Sequence, residues 1–283
     1  MGISEKALKL RIKSVESTEH ITRAMQLVAS SKLRRSTERM EVSRAYFKEM
    51  KTVFADLYES CGGELPEGLF TESQKGDRCL VVIAGDRGLA GGYNNNVFSL
   101  SSSVMAEEKG KTVILPLGKK SYEYYKKRNT ELTGRMQSVG EMTLERCAVL
   151  GKELAEGFGA GKYRSVSFVY TSFKNMLSQS AGVLQVLPLV SEKKNAVCAH
   201  PFMVYEPSPA EVFEALIPEY VAGLLYCAVC ESSASEQASR RNAMDNATKN
   251  ADEMIKQLSL QYNRARQGAI TQEITEIVAG AEQ

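Results

Sequence analysis

Residues 8–57 read LKLRIKSVESTEHITRAMQLVASSKLRRSTERMEVSRAYFKEMKTVFADL and contain neither proline nor glycine. One row of positions runs through the stretch at alternating steps of four and three: Leu8, Ile12, Val15, Glu19, Thr22, Gln26, Ala29, Leu33, Ser36, Met40, Ser43, Phe47, Met50, Phe54 and Leu57. That spacing is the seam of a helix built to pair with another helix. The seam is polar in its middle and bulky in its second half. Beside its first half runs a second stripe, Ala7, Leu10, Ile21, Ala24 and Val28. A helix with two faces to cover has more than one kind of neighbour.

The far end of the chain repeats the pattern. Met244, Ala247, Ala251, Met254, Leu258, Gln261, Ala265 and Gly268 are again spaced by threes and fours, and they are mostly small. Small residues let a partner helix approach closely with bulkier side chains, so the two terminal segments are natural mates. With a whole domain between them, an antiparallel coiled coil is the simplest pairing. A helix from Ile3 to Tyr58 would span ~84 Å and one from Pro218 to Ala279 ~93 Å at ~1.5 Å per residue; a compact domain does not hold such rods. Pro207 and Pro209 suit a helix start. The long helix is expected to begin or kink near Pro218, because an interior proline removes a hydrogen bond and clashes with the preceding turn.

Between the rods, Cys61-Gly-Gly-Glu-Leu-Pro-Glu-Gly68 breaks the first helix. Strand-like runs follow at Cys79–Ala84, Thr112–Leu117, Ser165–Phe173 and Val183–Leu189, with helical stretches near Asn95–Lys109, Lys119–Lys127 and Thr143–Glu156. Such alternation argues for a mostly parallel sheet with crossover helices. The expected fold class is α/β plus long helices: an antiparallel coiled coil of the N- and C-terminal helices with an inserted Rossmann-like, mostly parallel α/β domain. The divisions fall at 1–60, 76–200 and 207–283.

A chain of 283 residues with 43% hydrophobic and 25% charged content is an ordinary folded one, which excludes a disordered chain. Uninterrupted apolar runs such as Cys79–Ala84 and Val183–Val190 are strand-sized, short of the ~18 residues a membrane helix needs. The first residues are charged and helix-like, with Glu5, Glu16 and Glu19, which fits neither a secretory signal nor an acidic-poor transit peptide; a cytoplasmic protein is expected. Net charge of +2 is too small to imply nucleic acid. Yet residues 1–58 carry twelve Lys and Arg against seven Asp and Glu, with Lys32, Arg34, Arg35 and Arg39 close together. That surplus reads either as a solvated helix face or as a footprint for an acidic partner.

The segment Ala84-Gly-Asp-Arg-Gly-Leu-Ala-Gly-Gly-Tyr-Asn94 follows a strand and precedes a helix, where α/β proteins keep phosphate-binding loops. Its glycines, Gly85, Gly88, Gly91 and Gly92, do not give G-x-G-x-x-G, and no Lys-Ser/Thr follows as a Walker loop requires. The competing reading is a tight exposed loop presenting Asp86 and Arg87, with glycines where the backbone turns. The two histidines, His20 and His200, stand far apart without a motif. Six scattered cysteines imply reduced thiols. Cys227-x-x-Cys230 lacks the second pair that a four-ligand zinc site needs and reads as a packed helix face. Glu273 and Glu276 read as helix-surface carboxylates. No catalytic residue, cofactor-binding residue or metal ligand is expected.

Four blocks together resemble the γ subunits of F-type ATP synthases of the bacterial kind. They are His20-Ile-Thr-Arg-Ala-Met-Gln-Leu-Val-Ala-Ser-Ser-Lys32 with the basic stretch after it; Gly85-Asp-Arg-Gly-Leu-Ala-Gly-Gly-Tyr-Asn94; Tyr205-Glu-Pro207; and Ser235-Glu-Gln-Ala238 through Ala265-Arg-Gln-Gly-Ala-Ile-Thr-Gln-Glu-Ile-Thr-Glu-Ile-Val-Ala-Gly-Ala281. The resemblance implies a non-catalytic rotor shaft threaded into a hexamer of α and β subunits, touching the ε subunit and the c ring, with ATP made or split on β. It implies β-subunit contacts at Arg23, Met25, the 84–91 loop with Asp86, Arg87 and Ala90, and a polar catch of Arg266, Gln267 and Thr271. Tyr205 and Glu206 would lie at the c ring, and Ile270–Ala279, with Ile270, Ile274, Ile277 and Val278, would form an apolar bearing tip. Two other classes remain open on the residues alone. One is a nucleotide-binding α/β enzyme with helical arms, drawn from the strand–glycine–helix segment; the other is a coiled-coil or nucleic-acid-binding arm, drawn from the basic first rod.

Overall fold

The computed structural model describes residues 5–61, 69–70, 75–107, 110–189 and 204–281. The helix-breaking segment 62–68, Cys198, His200 and the expected domain end at residue 200 lie outside the described residues, as does the side chain of Ala279. The elements run α1 (Glu5–Ser60), β1 (Asp77–Ile83), α2 (Tyr93–Glu107), β2 (Thr112–Leu117), α3 (Lys119–Lys126), α4 (Leu144–Gly159), β3 (Tyr163–Phe173), β4 (Gln179–Leu187) and α5 (Pro209–Ala281). The chain divides into two compact units. One is Ser31–Ser239; the other joins Met1–Ser30 with Arg240–Gln283.

In the larger unit a four-stranded sheet has the order β2-β1-β3-β4. β1 pairs parallel with β2 and with β3, while β4 returns antiparallel to β3. The mostly parallel sheet expected from the sequence is present, with β4 as its antiparallel edge. β1 reads as one apolar run because both of its faces are covered, the mark of a central parallel strand. Cys79, Val81 and Ile83 face α4 and the ends of α1 and α5 nearest the sheet, whereas Leu80, Val82 and Ala84 face α2 and α3. Burying such side chains stabilises the layer by ~1.5–3 kcal/mol for each large one.

Two glycines set how closely the elements approach. Gly118 turns from β2 into α3 at φ 92°, and a Cβ there would collide with the Ala84 carbonyl oxygen. Gly151 lets α4 cross α5, since a Cβ on it would stand 2.7–2.8 Å from Ala222 N, Cα and Cβ. α4 itself starts at Thr143, whose hydroxyl accepts from Arg146 N.

The first seam is as expected: each of its fifteen positions is buried or half-buried. In the larger unit, Leu33 and Met40 of α1 pack with Cys230, Ala234 and Ala238 of α5, large against small. Further along, the Phe54 ring lies tilted against Phe213 and Tyr220, with ring centroids 5.0 and 4.4 Å apart.

Two expectations for the last helix need correction. It starts at Pro209, not near Pro218, which lies inside it. The start is specified by Ser208, whose hydroxyl accepts from Glu211 N at 3.3 Å and donates to Glu211 Oε1 at 3.0 Å, a capping arrangement with proline at the first helical position. Buried Phe213, Ile217 and Val221 anchor the turns around Pro218, and their packing outweighs the ~3 kcal/mol an interior proline costs. α5 also contains an 18-residue window with a mean hydropathy of 1.5, enough by length and composition to cross a membrane, although uninterrupted apolar runs had indicated none. Of that window 56% is buried inside the fold, as in a core helix.

In the smaller unit the seam of α5 is not the row read from the sequence. Met244, Ala251 and Leu258 are buried and Ala265 half-buried as expected, but Met254, Gln261 and Gly268 are exposed and Ala247 is only half-buried beside buried Thr248. The intervening places are taken by Thr248, Ile255, Tyr262 and Ala269, so this part of the seam is not mainly small. A polar layer explains the slip. The Thr22 and Thr248 hydroxyl oxygens lie 2.8 Å apart, and Gln26 Nε2 donates to Asp245 Oδ1 at 2.8 Å. Arg23 pairs with Glu19 at 2.7 Å and reaches Asp252 at 4.0 Å. The partner of a polar seam residue is itself polar, which an apolar search passes over.

Candidate functional site

The loop after β1 stands at the C-terminal edge of the parallel strands, where an α/β fold offers backbone N–H groups to an anion. Here the chain supplies its own anion. Asp86 Oδ1 accepts from Lys119 N, at the start of α3, at 3.0 Å. Its Oδ2 accepts from Ser138 Oγ at 2.7 Å and from Gly140 N at 3.2 Å. The donors at the start of α3 and in the 138–140 turn are thus taken by a half-buried carboxylate of the same loop. The other ties are also internal. Asn94 Oδ1 accepts from Gly85 N at 2.9 Å, Lys120 N donates to Gly85 O at 3.0 Å, and a Cβ on Gly85 would stand 3.0 Å from the buried Glu236 side chain of α5.

What the loop presents outward is narrower than the sequence expected. Arg87 and Gly88 are exposed, Asp86 is half-buried and Ala90 is buried. Leu89 is 67% exposed and holds φ at 61°, an uncommon left-handed conformation for a leucine. Ser138, Gly140, Asn94 and Glu236 belong to this site, yet Ser138 and Gly140 sit too far along the chain for any local pattern to have named them.

An open groove of about 590 Å³ is lined by Asn95, Phe98, Ser99, Ser102, Ser103, Ala106 and Tyr124. It offers hydroxyls and a stacked Phe98–Tyr124 pair at 4.0 Å, but no carboxylate, imidazole or amine for acid–base work. No cluster of His, Cys, Asp and Glu suited to a metal occurs among the described residues. Cys227 and Cys230 are free thiols packed on α5, with Ser43 Oγ donating to Cys227 Sγ at 3.0 Å; burial pushes the Cys227 thiol up to about 11.

On the smaller unit the second stripe of α1 faces outward, with Leu10 63% and Val28 56% exposed and Ile21 and Leu27 alongside. Met25 is half-buried, and Arg23, though tied to Glu19, keeps more than half of its side chain in solvent. On α5, Arg266, Gln267 and Thr271 are exposed, Thr271 donating to Gln267 O at 2.9 Å. The Tyr262 phenol is raised from its ordinary value chiefly through a hydrogen bond with Glu5. Beyond that point Ile270, Ile274, Ile277 and Val278 are exposed, Ile277 by 71%. In the larger unit, Tyr205 is half-buried and Glu206 exposed, just before α5.

An exposed apolar stripe, an exposed apolar helix end and an exposed loop tip offer surface to a partner. The family model described as ATP synthase matches residues 4–283. The "ATP synthase gamma chain" of Ruminococcus albus is 46% identical over 276 residues, covering 96% of each chain, and that of Alkaliphilus metalliredigens is 40% identical over 288 aligned residues, covering 100% of this chain and 99% of the relative. In fold, the chain resembles one in the cryo-EM structure of the Euglena gracilis mitochondrial ATP synthase OSCP/F1/c-ring assembly in rotational state 3, with a TM-score of 0.72, 16% identity, and 98% and 93% of the two chains covered. With a family model and relatives that span it nearly end to end, the chain belongs to the ATP synthase gamma-chain family.

Proposed function

We propose that this chain is the central-stalk rotor subunit of an F-type ATP synthase. It turns within a hexamer of α and β subunits and couples ion flow through a c ring to ATP synthesis or hydrolysis on β. It performs no catalysis of its own and needs no cofactor. Its partners are α, β, ε and the c ring, through which it is peripheral to the cytoplasmic face of the plasma membrane. The observation that carries the reading is the full-length family match over residues 4–283. The three segments 1–60, 76–200 and 207–283 are proposed as its working parts: first rod, α/β body and second rod.

The exposed groups divide among the partners. Arg23, Met25 and the 84–91 loop, through its exposed residues, face the acidic lower part of β, which gives the basic surplus of the first rod a partner. Arg266, Gln267 and Thr271 form a polar catch with β. Tyr205 and Glu206 meet the c ring. Ile270, Ile274, Ile277 and Val278 form the apolar tip in its bearing. A shaft whose surface is not the same all the way round meets three chemically identical β subunits differently at each angle. It therefore biases each between open and closed states, a population shift driven by differential contacts.

The test is reconstitution. The isolated chain is expected to be inert toward ATP, and mixing it with α and β subunits is expected to yield a particle that hydrolyses ATP. A chain that does not co-assemble with them defeats the reading.

A further inference from the structure

We infer that Asp86 is a positioning residue that does not touch the β subunit: it fills an anion pocket of its own fold and so sets the loop shape in which Arg87 and Leu89 are presented. The inference rests on the rotor reading for its partner, but its structural half stands on this chain alone. A carboxylate available to a partner keeps lone pairs facing solvent. Asp86 instead accepts three hydrogen bonds from two separate segments, Lys119 N at 3.0 Å on one oxygen, Ser138 Oγ at 2.7 Å and Gly140 N at 3.2 Å on the other. The Lys119 amide opens α3, where the helix dipole favours negative charge. The three donors converge on one point, so the carboxylate ties the loop to the α3 start and to the 138–140 turn at once.

The rest of the loop depends on that knot. Gly85 is fixed from both sides by Asn94 and Lys120. Ala90 is buried, and its carbonyl accepts from Tyr93 N at 3.2 Å. Between these two anchors only Arg87, Gly88 and Leu89 are exposed, and Leu89 stands in a left-handed conformation with its apolar side chain in solvent. A leucine is held that way only where the surroundings over-determine the backbone. Asp86 is the charged part of those surroundings, and Arg87 and Leu89 are what they display: one cation beside one apolar contact, matched to an acidic partner surface.

The experiment uses the full chain with Asp86→Ala, Asp86→Asn and Arg87→Ala. Hydrogen exchange is followed by mass spectrometry on peptides covering 85–92 and 137–141, and ATP hydrolysis is followed after mixing with α and β. Asp86→Ala is expected to speed exchange in both peptides about tenfold or more, since a hydrogen-bonded charge anchors them, and sodium formate at tens of millimolar is expected to slow it again by refilling the three-donor pocket. Asp86→Asn, which keeps an oxygen for Lys119 N but sets an amide against Gly140 N–H or the Ser138 hydroxyl, falls between. Arg87→Ala leaves exchange unchanged and lowers the hydrolysis of the assembled particle. Formate restores hydrolysis to Asp86→Ala and not to Arg87→Ala. Unchanged exchange in Asp86→Ala with lost hydrolysis would make Asp86 a direct contact and overturn the inference; so would raised exchange with wild-type hydrolysis. A wild-type chain that fails to co-assemble sinks the rotor reading and leaves the exchange result to judge the pocket alone.

Discussion

Gly151→Ala in α4 tests how tightly the α/β layer is packed on the last helix. The added Cβ would stand 2.7 Å from Ala222 N and 2.8 Å from both Ala222 Cα and Cβ. Two of these three atoms are backbone of α5, so no rotamer change relieves the contact. Overpacking of that kind costs ~1–3 kcal/mol, while replacing a mid-helix glycine by alanine returns ~0.5–1 kcal/mol. The net expectation is a loss of about 1–2 kcal/mol, or ~2–8 °C in melting temperature for a chain of this size. Gly159→Ala, at the end of the same helix, meets nothing within 4 Å and is expected to gain up to ~1 kcal/mol. The assay is thermal and urea unfolding of both variants by circular dichroism. Ala222→Gly added to Gly151→Ala removes one of the three collisions and is expected to recover part of the loss, not all of it. Two glycine variants with the same sign would refute the close-approach argument, because helix propensity alone would then account for both.

A double-mutant cycle at Thr22 and Thr248 reads the polar layer of the smaller unit. The Thr22 hydroxyl donates to Glu19 O at 3.0 Å, which leaves Thr248 as donor in the 2.8 Å pair. Thr22→Val alone strands the buried Thr248 hydroxyl at a cost of ~1–3 kcal/mol, whereas both changes together are nearly neutral. Urea unfolding should therefore show a coupling of about 1 kcal/mol or more, and additive single effects would contradict the pairing. Alkaline stability is a separate check on the sheet core. Burial pushes the Cys79 thiol from 9.0 up to about 12. The folded form then holds its proton where the unfolded chain has lost it, so this contribution is complete below pH 9 and is lost as pH rises toward 12. The slope is ~1.4 kcal/mol per pH unit. Cys79→Ala lowers stability at pH 8 but flattens the decline above pH 9; an unchanged slope would mean the thiol titrates normally.

Much of the fold was legible because its strongest signals are periodic. The α1 seam was recovered position by position, since a heptad of fifteen members has little competition from any other pattern. All four strands and three intervening helices were found, but the antiparallel run of β4 was not specified, because strand direction leaves no mark on local composition. Pro218 misled for the opposite reason. A local rule about proline was applied where Phe213, Ile217 and Val221 are already buried, and tertiary packing overruled it. The α5 seam slipped at alternate places because Thr248 is in the core for the sake of Thr22, a relation visible only once the two helices lie side by side. In the loop, the glycines and Arg87 were legible. The bonds from Asp86 to Ser138 and Gly140 were not, since they join segments more than fifty residues apart.

Both units obey one division of labour. On α1, Leu8, Thr22 and Ala29 face inward, while Leu10, Ile21 and Val28, only one or two positions away, face out. In the loop, Asp86 and Ala90 face inward, while Arg87 and Leu89 between them face out. A residue cannot serve both purposes well, because a side chain that satisfies its own fold has spent the hydrogen bonds or the area a partner would use. On the rotor reading this separates the proposed contact residues into two kinds by experiment. Substitutions at the inward set lower the stability of the isolated chain first and affect the assembled particle only through it. Substitutions at Arg87, Leu10 or Ile277 leave the isolated chain within about 0.5 kcal/mol of wild type, as exposed positions do, and act only on assembly or hydrolysis. An outward residue whose loss destabilises the isolated chain would be misassigned, whatever family pattern it stands in.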